Sequence, residues 1–104
     1  MPNIKFNYRY RDGSNYKNHG SAIFSNPQNI ELPYLKKLIK SKLIDETWFY
    51  ANQWKLPNLY FTPFDPETDP TWHEFENIEY TEESANTLLS LTEFIKCING
   101  SSLK

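Results

Sequence analysis

The chain has almost no cysteine and no long hydrophobic run. Among its 104 residues only Cys97 carries a thiol, so no internal disulfide can form, whereas a small secreted domain usually has several. The N-terminal sequence MPNIKFNYRYR has no apolar stretch of signal-peptide length. No segment approaches the roughly 20 apolar residues that a membrane-spanning helix needs. We therefore expect a cytoplasmic protein that has no membrane partner.

Glycine is also scarce, which argues against several kinds of catalytic site. With three glycines, the chain has no glycine-rich phosphate loop and no G-x-S-x-G nucleophile elbow. Nucleophilic catalysis would have to combine Cys97 with His19 or His73. Cys97 lies near the C-terminal end of a predicted helix, whereas a helix N-terminus is what activates a thiol. These features predict a protein that is not an enzyme and holds no cofactor.

Aromatic residues are abundant and their pattern predicts a single α+β domain over residues 1–100. Three Trp, seven Tyr and seven Phe bury enough area for a core in one domain of this length. Alternation at 4–10 predicts a strand, and Asp12-Gly13 predicts a turn into a second strand near 20–25. The predicted order is ββαβββα, a mostly antiparallel sheet of four to five strands with two helices packed on one face. The later elements are a helix at 31–44, strands at 48–50, 59–61 and 72–80, a final helix capped by Thr81 and ending at Asn99-Gly100, and a frayed tail at 101–104.

Charge is divided unequally along the chain. Residues 1–55 carry nine Lys/Arg against four Asp/Glu, and residues 56–104 carry two against nine. Such a division is found in proteins that bind nucleic acid or charged partners. In a single domain the two halves also fold together and neutralise each other, and we favour this interpretation.

Loop-flanking aromatics and an acidic loop predict a surface that binds another protein. TPFDPETDPT holds three prolines and three acids, so it forms a loop rather than a strand or helix. Tyr and Trp are enriched at interfaces, and an acidic surface attracts a basic partner. A homodimer through the apolar final helix also stays open. The predicted partner-binding residues are Trp54, Tyr60, Asp65, Glu67, Asp69 and Trp72.

Two alternative functions have support in the sequence. The first is binding of single-stranded nucleic acid, because cations and aromatics interleave in KFNYRYRDGSNYK. The second is a metal-dependent hydrolase, because His with nearby carboxylates is a set of Zn or Mn ligands, although the spacing matches no defined motif. The nucleic-acid candidates are Arg9, Arg11, Lys17, Lys36, Lys37 and Lys40, and the metal candidates are Asp69, His73 and Glu76.

Four short motifs resemble those of small bacterial proteins without an assigned activity. They are YRDGSNYKN at 10–18, FSNP at 24–27, LID at 43–45 and WHEF at 72–75. The resemblance implies a bacterial origin and assigns no catalytic residue. By analogy with other small acidic bacterial domains, it implies an inhibitor or accessory of a defence or mobile-element system.

Overall fold

The structure is a computed structural model that describes residues 2–100, and it confirms the α+β class. Four strands form one antiparallel sheet in the order β2-β1-β4-β3. The predicted tail at 101–104 lies outside the described residues. The elements are β1 (Asn3–Arg11), β2 (Lys17–Phe24), α1 (Leu32–Lys42), β3 (Trp48–Phe49), β4 (His73–Thr81) and α2 (Leu91–Gly100).

The alternating sequence of β1 gives the sheet two chemically different faces. Ile4, Phe6, Tyr8 and Tyr10 are all buried, and the residues between them are partly exposed. Successive side chains of a strand point to opposite faces, so β1 has an apolar face and a polar face. We call these the core face and the open face of the sheet.

Both helices pack on the core face, as predicted. Leu35 and Ile39 of α1 are fully buried, and Leu91, Phe94 and Ile98 of α2 join the same core cluster. The aromatic rings interlock there: Phe24 stacks on Phe94 with 4.3 Å between ring centroids. The apolar side of α2 is therefore buried in this core.

Two predictions about secondary structure are wrong, and the predicted order changes with the first of them. Residues 59–61 form no strand, because the Leu59 backbone N–H donates to Nε2 of the His73 ring instead of to a neighbouring strand. The last helix begins at Leu91 and not after Thr81, which belongs to β4. Its N-terminus carries a capping box: the Glu93 carboxylate accepts the Ser90 N–H, and the Ser90 hydroxyl oxygen accepts the Glu93 N–H. The order is therefore ββαββα.

A β-bulge interrupts β4 and changes which side chains face the core. Asn7 of β1 pairs with Asn77, whereas the next residue pairs with Phe75, so Glu76 is an extra residue. The bulge lets Phe75 and Ile78 both face the core while Glu76 and Asn77 both face the open side. Among residues 2–100, no helix has the length and apolar character needed to cross a membrane.

Candidate protein-binding surface

The acidic loop, residues 62–72, is held in place by hydrogen bonds from buried and neighbouring groups. The Tyr10 hydroxyl donates to the Pro70 carbonyl at 2.7 Å, and the Tyr60 hydroxyl donates to the Thr71 carbonyl at 2.8 Å. Burial raises the pKa of Tyr10 to about 12, and the negative charge of Asp69 adds to that effect. Both hydroxyls therefore stay protonated donors near neutral pH, and the loop is anchored at its C-terminal end.

Asp69 links the middle of the acidic loop, at Asp65, to the β1–β2 turn, at Gly13. Its carboxylate accepts the backbone N–H of Asp65 at 2.8 Å and that of Gly13 at 2.9 Å. These two hydrogen bonds hold the pKa of Asp69 below its usual value, so the carboxylate is ionised near neutral pH. A Cβ at Gly13 would lie 2.4 Å from the Thr68 carbonyl oxygen, so the turn approaches the loop this closely only because it has glycine there.

Trp72 stands half-exposed at the end of this anchored loop. Its side chain is 42% exposed, and its ring packs edge-on against Trp48, with 6.4 Å between centroids. Residues 67–72 line a shallow cleft of about 380 Å³ beside it. A rigid, partly exposed tryptophan beside a cleft is typical of the anchor residues of protein interfaces.

A second cleft adjoins the first, and Thr71 lines both of them. It has a volume of about 520 Å³ and lies between the turn at 50–53 and the residues Asn58, Tyr60 and Thr71. The side-chain oxygen of Gln53, in its wall, is buried and has no hydrogen-bond partner within the described part of the chain. No lysine or arginine of residues 2–100 lines either cleft. Together with Trp48 and the acids of the loop, the two clefts form what we call the Trp72 surface.

The structure brings most of the predicted partner-binding residues together, with one exception. Tyr60, Asp65, Glu67, Asp69 and Trp72 all belong to the Trp72 surface or to the loop that carries it. Trp54 does not, because its side chain is fully buried and stacks on Phe49 in the core. Residue composition identified the aromatic candidates but not which of them the core would use. Trp48, Gln53 and Asn58 were missed, because they carry no sequence signal of exposure.

The predicted metal ligands do not meet. His73 is fully buried on the core face, and burial lowers its pKa to about 4. Glu76 lies on the open face, paired with His19 at 3.0 Å, and the carboxylate of Asp69 is occupied by backbone N–H groups. Within residues 2–100 no three His, Cys, Asp or Glu side chains are grouped so that they could hold a metal ion. The three predicted ligands are therefore not brought together in the described part of the chain.

The predicted nucleic-acid residues are divided between two sides of the molecule. Arg9 and Arg11 lie on the open face, where both bind Glu74, at 2.6 and 3.0 Å. Burial by itself would raise the pKa of Glu74, but the hydrogen bonds and charges of the two arginines outweigh it and hold the pKa below its usual value. Lys36, Lys37 and Lys40 are exposed on α1, which packs on the core face. The cations predicted to bind nucleic acid therefore do not lie together on one surface where a single strand could contact all of them.

Ion pairs on the open face join the basic half of the chain to the acidic half. Besides the two arginines on Glu74, Lys5 binds Glu83 at 2.8 Å and His19 contacts Glu76 at 3.0 Å. Each pair links a residue before position 20 to one after position 73. On the open face, cations of the basic half are therefore neutralised by carboxylates of the acidic half, which is the interpretation favoured from the sequence.

Comparison with known proteins adds no relative: no family model matches the chain, and no curated protein or solved structure matches it at a significant level. The resemblance to small bacterial proteins stays a prediction.

Proposed function

We propose that this protein is a small non-enzymatic binding protein that recognises a basic segment of another protein through the Trp72 surface. The observation that carries this proposal is the half-exposed Trp72, supported by Trp48, at the end of an acidic loop held by four hydrogen bonds from Tyr10, Tyr60, Gly13 and Asp65. Preorganisation lowers the entropy cost of binding, and rigid aromatic rings contribute most of the energy of many interfaces.

The chemistry of the clefts favours a cationic partner with hydrogen-bond donors. Asp65 and Glu67 are exposed beside the clefts, and no cation in the described part of the chain lines either cleft to compete for them. A Lys- or Arg-bearing segment supplies both the positive charge and the hydrogen-bond donors that these carboxylates accept. We also propose the cytoplasm as its location, from the single cysteine, and a bacterial accessory or inhibitor role, which rests on the motif resemblance.

The proposal is tested by comparing partners captured by three forms of the protein. Tagged wild type is used as bait in a bacterial lysate with and without nuclease, alongside Trp72→Ala and the control Tyr34→Ala. Tyr34 is 61% exposed on α1, so the control removes an exposed aromatic ring from a different element. We expect a nuclease-resistant protein that binds wild type and Tyr34→Ala, and binds Trp72→Ala at least about 30-fold more weakly.

Salt dependence provides a second test with the captured partner. Binding should weaken as ionic strength rises, because salt screens the attraction between exposed charges, and Glu67→Gln should reduce that dependence. Capture of nucleic acid alone, or a partner that binds Trp72→Ala as tightly as wild type, would show that the Trp72 surface is not the binding site.

A further inference from the structure

The outer edge of β2 has main-chain groups that nothing in the described structure pairs. The Asp12 N–H donates to the Tyr16 carbonyl at 3.0 Å, which makes these two residues a hydrogen-bonded pair at the turn. Hydrogen-bonded and non-hydrogen-bonded pairs alternate along an antiparallel ladder. In the observed register, Asn18, Gly20 and Ala22 therefore bond to β1, and the main-chain groups of Lys17, His19, Ser21 and Ile23 point away from it.

The contacts of Ile23 confirm that these main-chain groups point outward, and they show where the free edge ends. The side-chain oxygen of Asn86 accepts the Ile23 N–H at 2.7 Å, and the Asn86 N–H donates to the Ile23 carbonyl at 3.1 Å. Asn86 thus occupies the place of a neighbouring strand at one end of β2. The outward groups of Lys17, His19 and Ser21 have no partner among residues 2–100. An unpaired edge of this kind is a template for another strand.

From this geometry we infer that the β2 edge pairs with the β2 edge of a second copy, so that two sheets join into one. In an antiparallel arrangement with a two-fold axis at His19, Lys17 lies opposite Ser21 of the second copy and each His19 lies opposite the other. Each of these pairs exchanges both of its outward hydrogen bonds. The arrangement is isologous, so the same groups satisfy each other on both copies.

The lengths of the two edges match in this register. At its N-terminal end β2 stops at Lys17, because the chain turns from Tyr16 toward β1 and away from the second copy. At the other end Asn86 closes the edge at Ile23. In this register the incoming strand therefore ends where Asn86 of its partner begins.

Side chains at the two ends of the edge are complementary as well. Leu88 is fully exposed and lies two residues after Asn86, whereas Tyr16 is 69% exposed and directly precedes Lys17. The two-fold axis places Tyr16 of each copy opposite Ala22 of the other, at the end that carries Leu88. Tyr16 of each copy is thus brought to the end of the edge that carries Leu88 of the other copy. Each central His19 keeps its Glu76 partner, and Lys17 lies opposite an uncharged serine.

A proline at position 21 tests this pairing without removing a main-chain hydrogen bond of the monomer. It does remove the hydrogen bond that the Ser21 hydroxyl donates to Oδ1 of Asn7 at 2.7 Å, and an alanine at this position removes the same bond. Proline lacks the N–H and is tolerated in an edge strand when that N–H faces solvent, which is the outward direction of Ser21. The matched control is Ser21→Ala, which keeps the N–H. Sedimentation equilibrium of each form is measured from about 10 µM to about 1 mM, with circular dichroism melts to confirm folding.

For wild type we expect a monomer–dimer equilibrium with a Kd of roughly 10–500 µM, because a short edge gives a small interface. Ser21→Ala should dimerise within about threefold of wild type, and Ser21→Pro at least about tenfold more weakly. Leu88→Ser should also weaken the dimer. A wild type that stays monomeric at 1 mM, or a folded Ser21→Pro that dimerises normally, would overturn the inference.

The dimer and the proposed partner binding are separable. Trp48 of the Trp72 surface lies on β3, the opposite edge strand of the sheet from β2. Trp72→Ala should therefore dimerise like wild type, and Ser21→Pro should still bind one partner per chain.

Discussion

Acidification should destabilise the protein through His73, beginning near pH 6.5. The His73 ring lies among Tyr8, Tyr10 and Tyr60, and its Nε2 accepts the Leu59 N–H at 2.9 Å. Burial lowers its pKa from 6.5 to about 4. In the unfolded chain the same imidazole is in water, so as pH falls the unfolded state binds a proton first.

The size of the effect follows from these two pKa values. Stability changes by up to about 1.4 kcal/mol per pH unit for one proton bound by the unfolded state alone. Between pH 7 and pH 5 a shift from 6.5 to about 4 gives a loss of about 2 kcal/mol. The loss begins near pH 6.5 and is complete below about pH 4. Glu74, whose pKa is lowered from 4.5, adds a further loss of stability, but only below pH 4.5.

Urea unfolding at a series of pH values measures this loss directly. It should be done at low micromolar concentration, so that self-association does not contribute. His73→Gln keeps an acceptor for the Leu59 N–H and has no titration, so its stability should be nearly constant from pH 7 to pH 5, although lower overall. His19→Gln, at a side chain that is 58% exposed, is the matched control and should keep the wild-type loss. An unchanged loss in His73→Gln would refute the reasoning.

Three further substitutions have defined expected results. Gly13→Ala should cost about 1–3 kcal/mol and increase protease cleavage in the acidic loop, because the new Cβ meets the Thr68 carbonyl oxygen at 2.4 Å; Ser14→Ala is its control and should have no effect. Glu74→Gln should lower the free energy of unfolding by about 1–2 kcal/mol at pH 7, since two arginines lose a largely buried carboxylate; an equal loss at pH 3 would contradict this cause. Trp54→Ala should cost about 3–5 kcal/mol by chemical denaturation, because it empties a fully buried site.

Local sequence patterns predicted a strand or helix correctly where the spacing of apolar residues stays regular along the whole element. β1 is an example, because its strict alternation coincides with its observed burial. The pattern of β4 looked weak because acids occupy both of its apparent faces. The bulge at Glu76 is the reason: it shifts the alternation by one residue, so no single period describes the strand.

The start of α2 was predicted wrongly for a different reason. Thr81 and the glutamates after it have the composition of a helix N-terminus, but Thr81 pairs with Asn3 in the sheet. The segment that follows bonds to the β2 edge through Asn86. The capping box at Ser90 and Glu93 was present in the sequence and marked the true start.

By itself the sequence determined the α+β class, the position of the acidic loop and the candidate aromatic residues, because these depend on local periodicity and composition. Only the tertiary structure decided which tryptophan is exposed and which is core, because burial depends on contacts between segments distant in the chain. Trp54 is buried by Phe49 and the strands, whereas Trp72 is left at the surface beside Trp48. The separation of Arg9 and Arg11 from the α1 lysines, and the free edge of β2, follow from sheet order and helix packing, which no local pattern specifies.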